Sequence, residues 1–278
     1  MATCYRHPGR ETGVSCSNCG RPICPDCMTA TPVGMRCPEC SRQKTAVRTV
    51  RDMYVDPTAT YVLIAINVLM FVGTALSGGE VAGGGGGGSV YQDFALWGPA
   101  VDIGNDWWRL VTSGFMHAGL IHLGLNMYIL YWLGGMLEPV LGHVRFVALY
   151  FASLLAGSFG ALLLSPGAVT VGASGAVFGV MAAAFIFQRA RGVDPMRSGI
   201  APLLLLNLAI TFFPGFNISI GGHLGGLVGG AICALAMERL GSLRRGDLLP
   251  VLACVAVGAI AVAGALAVAG NANADFGF

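Results

Sequence analysis

Seven apolar stretches, at 59–76, 120–137, 146–164, 174–188, 200–213, 221–237 and 248–269, constrain what this chain can fold into. About 20 apolar residues in a helix cross the hydrocarbon core of a bilayer. A soluble fold carrying such runs would need a polar surface to cover them. Only 11% of the 278 residues are charged and 55% are hydrophobic, where soluble domains carry about 25% charged residues. The apolar surface must therefore face lipid, and the expected fold class is an all-α polytopic membrane protein. Several runs are short because Gly, His and Ser interrupt them, and polar-broken spans are where membrane proteins concentrate function. Met1 to Arg10 show no basic segment followed by an apolar run, so no signal peptide is expected. A net charge of +2 gives no bulk case for nucleic-acid binding.

The first forty residues obey different rules. Seven of the nine cysteines lie between Cys4 and Cys40, and they fall into pairs with two intervening residues: Cys4/His7, Cys16/Cys19, Cys24/Cys27 and Cys37/Cys40. Such a knuckle sets two ligands about 3.7 Å apart around one tetrahedral zinc ion. Eight ligands suit two structural zinc ions. So short a segment cannot bury enough apolar surface to fold alone, so metal binding would supply its folding energy. A disulfide framework fits worse, because seven is an odd number and His7 completes the fourth pair. The order of the pairs resembles B-box-type zinc fingers, in which pairs one and three share one ion and pairs two and four the other. That resemblance implies Cys4, His7, Cys24 and Cys27 on one zinc, and Cys16, Cys19, Cys37 and Cys40 on the second. Tyr5 is the only aromatic residue here, which argues against a nucleic-acid face; a cytosolic protein partner is the better expectation. The chain thus reads as a zinc-binding head at 1–41, a basic linker at 42–58, a six-span core at 59–240 and a seventh helix at 248–269.

Charge sets the expected orientation. With the head in the cytosol, fifteen of the sixteen Lys and Arg residues lie inside and Arg109 alone lies outside, as the positive-inside rule requires. Seven spans then place residues 271–278 outside, and the expected location is the cell membrane. The long loop at 77–112 carries a glycine run at 83–88, read as a linker, and Trp97, Trp107 and Trp108, which suit a membrane interface.

In this topology the second, fourth and sixth spans all begin on the outer face, so His117, His122, Ser174 and His223 share one depth. A serine hydroxyl is a weak nucleophile and needs a neighbouring base. Gly222, Gly226 and Gly230 repeat every fourth residue, and Gly175 and Gly179 offer a matching small face. Two such faces allow the fourth and sixth helices to approach until Ser174 reaches His223. No Asp or Glu lies nearby at this depth, which indicates a dyad. His122 and Asn126, four apart on one helical face, carry N–H donors suited to an oxyanion, joined by the Ser174 backbone N–H. His117, about 140° around a helix from His122, is expected to support the loop through a hydrogen bond. The competing reading makes each of these polar groups packing glue worth about 0.6 kcal/mol. There is no H-E-x-x-H for a metalloprotease.

With these residues in view the sequence resembles the rhomboid family of intramembrane serine proteases over about residues 57–240. Trp108-Arg109, His117 with His122 and Asn126, Gly172-Ala173-Ser174-Gly175, His223 with Gly226 and Gly230, and Glu138 all match its motifs. The resemblance implies a rhomboid-like six-helix core, a serine endopeptidase needing no cofactor for catalysis, and cleavage of single-span membrane proteins near the outer boundary of the bilayer. Ser174 would be nucleophile, His223 base, and His122, Asn126 and the Ser174 N–H the oxyanion hole. Phe178 departs from the tyrosine many relatives carry there; its ring can still pack on His223. The alternative is a catalytically inactive rhomboid-like protein that binds membrane clients.

Overall fold

The computed structural model describes residues 2–42, 55–82, 87–213, 215, 217–240 and 248–270. Most of the expected basic linker, part of the glycine run, the basic stretch at 241–247 and the tail at 271–278 lie outside the described residues. The chain divides into two compact units, residues 1–54 and 55–278.

The first unit is made of turns. Strands β1 (Ala2–Thr3) and β2 (Glu11–Thr12) pair antiparallel, as do β3 (Thr29–Thr31) and β4 (Gly34–Arg36). A 3-10 turn at Pro25–Cys27 and a short helix α1 (Pro38–Arg42) complete it. Its buried cluster consists of six cysteines and Ile23, with Tyr5 and Met28 packed partly against them. One buried isoleucine contributes about 2–3 kcal/mol. Ordering costs about 1–2 kcal/mol for each backbone residue, so apolar burial cannot hold this unit together.

The second unit is helical. After α2 (Thr58–Leu76) come three short helices of the loop region, α3 (Ser89–Phe94), α4 (Gly98–Asp102) and α5 (Arg109–Thr112). Then follow α6 (Leu120–Leu141), α7 (His143–Leu164), α8 (Ser174–Ala190), α9 (Ile200–Thr211), α10 (Ile220–Leu240) and α11 (Leu249–Ala269). Each of the seven apolar runs forms a helix. Five of them, α2, α6, α7, α10 and α11, are long and apolar enough to cross a membrane; α8 and α9 are shorter apolar helices of 17 and 12 residues. These two correspond to the short apolar runs at 174–188 and 200–213. Residues 165–173 reach α8 through turns and irregular backbone, and irregular chain at membrane depth survives only where protein satisfies it. Here Leu96 and Thr170 exchange two backbone hydrogen bonds of 3.0 and 2.9 Å, and the Gly172 N–H donates to the Ser113 carbonyl at 3.0 Å. The start of α9 is cut by a turn ending at Gly199, in the left-handed region at φ 86°.

Helix α10 packs along both α7 and α8, and glycine is the reason it can. A Cβ on Gly226 would fall on the Gly175 carbonyl, and one on Gly230 on the backbone of Gly179. A second row, unremarked in the sequence, sets Gly221 and Gly225 against Gly160 of α7. Small residues let backbones touch, and that contact drives association where lipid is as apolar as the side chains. Helix α11 lies against α7, and its last turns bury Ala265 and Ala269 with Leu96, Val101 and Leu110 of the loop region.

Candidate functional site

Ser174 is the first residue of α8, and the chain reaches it through Gly172, whose φ of 128° favours glycine. A Cβ on Gly172 would also sit 2.7 Å from Cε1 and 2.8 Å from Nε2 of His122. Gly172 therefore serves both the turn and the space beside His122. His223 stands in the first turn of α10, its N–H bonded to the Ser219 carbonyl at 3.1 Å. The close crossing of α8 and α10 places His223 Nε2 2.8 Å from Ser174 Oγ. Both side chains are half-buried. The Phe178 ring stacks on the imidazole with centroids 4.3 Å apart and planes 26° from parallel. On the other side of the ring, His223 Nδ1 lies 2.7 Å from Thr211 Oγ1 at the end of α9. Its partner there is a hydroxyl and not a carboxylate.

His122 lies in the first turn of α6. Its Nδ1 accepts from the Ala118 N–H at 3.4 Å, so the ring proton of the neutral imidazole sits on Nε2. That N–H faces the space beside Gly172 and Ser174. Asn126, one turn on, donates one amide hydrogen to the His122 carbonyl at 2.9 Å; its Nδ2 has a second hydrogen for another acceptor. His117 needs correction. It precedes the helix, so the helical angle does not apply, and its ring meets His122 edge-on with centroids 5.0 Å apart. Among the described residues neither ring nitrogen has a hydrogen-bond partner of good geometry, although the residue is only 1% exposed and the Phe115 backbone lies beside the ring. Its support of the loop runs through edge-on packing against His122 and through its contact with the Phe115 backbone.

Two outlying polar residues hold the frame. Arg109 is buried and donates to Asp106 at 2.8 Å and to the carbonyls of Gln92 and Ala95 at 2.6 and 2.9 Å, fixing the loop around α3 and α5. Trp108 stays partly exposed, with a 3.4 Å bond to the Asp93 carbonyl. Glu138 is fully buried near the end of α6. It accepts from the N–H groups of Ala59 and Thr60, from the Thr60 hydroxyl and, at 2.5 Å, faces His143 Nδ1. A carboxylate on one helix thus caps the open N-terminus of another. Thr60, His143 and Thr211 were not singled out in the sequence. Their partners are 78, 5 and 12 residues away, and no local spacing reports such pairs.

In the head the eight expected ligands gather into two groups, Cys4–His7–Cys24–Cys27 and Cys16–Cys19–Cys37–Cys40, with ligand atoms in each within 4.8 Å of one another. This is the grouping that the B-box-like order implies. Tetrahedral zinc sets neighbouring S and N ligands about 3.4–3.8 Å apart. His7 Nδ1 lies 3.9, 3.3 and 3.3 Å from the sulfurs of Cys4, Cys24 and Cys27, and Cys19 and Cys37 are 3.8 Å apart. Thiolates are also stabilised by donors: the Cys37 N–H on Cys16 at 3.3 Å, the Cys40 N–H on Cys37 at 3.4 Å, and the Asn18 amide on Cys40 at 3.3 Å. The Cys37 N–H, helped by backbone N–H groups of Cys19 and Asn18, lowers the Cys16 thiol to about 6 against opposing burial. At Cys37, by contrast, the Cys40 N–H is outweighed by burial and crowding from neighbouring thiols, which push the thiol up. The donor set, its spacing and its N–H support all fit zinc.

The fold and this constellation are those of a multi-pass membrane protein, and the comparison with known proteins assigns the class. The Rhomboid domain matches residues 104–239, and the chain belongs to the rhomboid family. It is 32% identical over 207 residues to "Rhomboid protease GluP" of Bacillus subtilis (strain 168), covering 70% of this chain and 38% of that protein. It is 34% identical over 142 residues to "Putative rhomboid protease YdcA" of the same organism, covering 48% of this chain and 71% of that protein. "Rhomboid-like protease 3" of Toxoplasma gondii is 31% identical over 128 residues, with 44% of this chain and 49% of that protein covered.

Proposed function

We propose that this chain is an intramembrane serine endopeptidase working through a Ser174–His223 dyad. The observation that carries this is the 2.8 Å approach of His223 Nε2 to Ser174 Oγ, within general-base reach. Ser174 Oγ attacks the scissile carbonyl carbon while its proton passes to His223 Nε2. The oxyanion forms beside the Ser174 N–H at the start of α8 and the Nε2–H of His122, with the second amide hydrogen of Asn126 as a further donor. One such donor is worth about 3–4 kcal/mol in the transition state. Collapse of this intermediate breaks the C–N bond, and His223 returns its proton to the leaving amine. Water, deprotonated by the same imidazole, then releases the acid product and restores the serine. No cofactor takes part in these steps.

The substrates are single-span membrane proteins cut near the outer boundary of the bilayer, with the head cytosolic and the C-terminus outside, as the distribution of Lys and Arg indicates. Two zinc ions held by the eight head ligands would serve folding alone. Purified protein treated with a fluorophosphonate should be labelled at Ser174, and the Ser174→Ala variant should not. Failure of the wild-type chain to label would favour an inactive client-binding relative.

A further inference from the structure

We infer that Thr211 is a positioning residue that sets the tautomer of His223, an inference that rests on the dyad reading above. Thr211 is 3% exposed, and its Oγ1 makes two contacts of 2.7 Å, one with the Asn207 carbonyl and one with His223 Nδ1. A hydroxyl has one hydrogen to give. The Asn207 carbonyl can only accept, so that hydrogen is committed to it. The contact to His223 must then run the other way, with Nδ1–H donating to a lone pair of Thr211 Oγ1.

A neutral imidazole protonated on Nδ1 has its lone pair on Nε2, the nitrogen 2.8 Å from Ser174 Oγ. That is the tautomer a base needs. The opposite tautomer would aim an N–H at the serine and could not take its proton. Phe178 stacked on the ring face restrains its tilt but has no polar atom with which to choose between nitrogens. The choice falls to Thr211. The same hydroxyl also accepts from the imidazolium formed once the proton has moved. Since Thr211 ends α9, whose main packing is against α8, the readiness of the base depends on where that short helix stops.

The test compares Thr211→Val, which keeps the shape and removes the hydroxyl, with Thr211→Ser, which keeps the hydroxyl. Turnover of a single-span substrate in detergent, the rate of fluorophosphonate labelling, and the ¹⁵N shifts of the His223 ring in the full chain are read together. Thr211→Val is expected to lower kcat and the labelling rate about tenfold or more, with KM within about twofold. Its Nδ1 and Nε2 resonances should move toward each other as the tautomers mix. Thr211→Ser should restore rates and shifts. A wild-type ring protonated on Nε2, or an unchanged spectrum and labelling rate in Thr211→Val, overturns the inference. Equal losses in both variants assign Thr211 to packing and overturn it too. A wild-type chain that never labels, yet shows Nδ1 protonated and this response to Thr211→Val, refutes the protease reading while upholding the tautomer control.

Discussion

The two units of this chain bring distant side chains together by opposite means. In the head, polar ligands are the core: six of the seven cysteines are buried, and Ile23 is the fully buried aliphatic side chain among them. In the helical unit, polar groups are guests in a frame built by backbone contact, with Gly226 on Gly175 and Gly230 on Gly179. With zinc on its ligand groups as proposed, metal ligation would hold the first fold together, whereas packing holds the second and its polar groups are placed upon it. The lesson is that removing a reactive side chain should be structurally costly in one unit and nearly neutral in the other.

Ser174→Ala tests this most sharply. It is expected to abolish cleavage, a loss on the order of 10⁴-fold or more, while the helical unit's thermal transition stays within about 1 kcal/mol of the parent. A large fall in that transition would mean the nucleophile is part of the frame. Gly226→Leu is the converse lesion. Forcing a side chain into the α8–α10 crossing should destabilise the unit by about 3 kcal/mol or more and part Ser174 from His223. Normal turnover by this variant would refute the role given to glycine contact.

Chelation addresses the other side. Removing zinc from the full chain should unfold the head, seen as protease-sensitive cleavage within residues 1–42, and leave turnover in detergent within about twofold. Inhibition of turnover by chelator would break the separation drawn between the units. Because thiolate ligands must be deprotonated, acidification should release the metal as chelation does. A smaller effect is expected of Glu138→Gln, which weakens the cap on α2. A charge-assisted set of this kind is worth about 2–3 kcal/mol, read as a lowered unfolding midpoint. Phe178→Tyr should be smallest, changing stability by less than about 1 kcal/mol, because the stacked ring is retained.

Much of this organisation was legible beforehand because it is periodic. Apolar runs near span length, paired metal ligands and glycines four apart report structure through local spacing, and each emerges where spacing put it. The shortness of α8 and α9 is visible in the runs at 174–188 and 200–213, but hydropathy does not register that a loop enters the protein to meet α8. His117 precedes the helix that begins at Leu120, so a helical angle cannot place it; its loop position is a tertiary fact.

Sequence alone determined the seven helices, the eight ligands and the serine, histidine and glycine residues that meet in the helical unit. Each is encoded in neighbours a few residues apart, within reach of a single turn or knuckle. Only tertiary structure decided how these residues are wired: Thr211 against His223 Nδ1, Glu138 over the start of α2, and Ala118 holding His122 with its proton on Nε2. Hydrogen-bond direction depends on where a second partner lies in space, and no one-dimensional pattern carries that information.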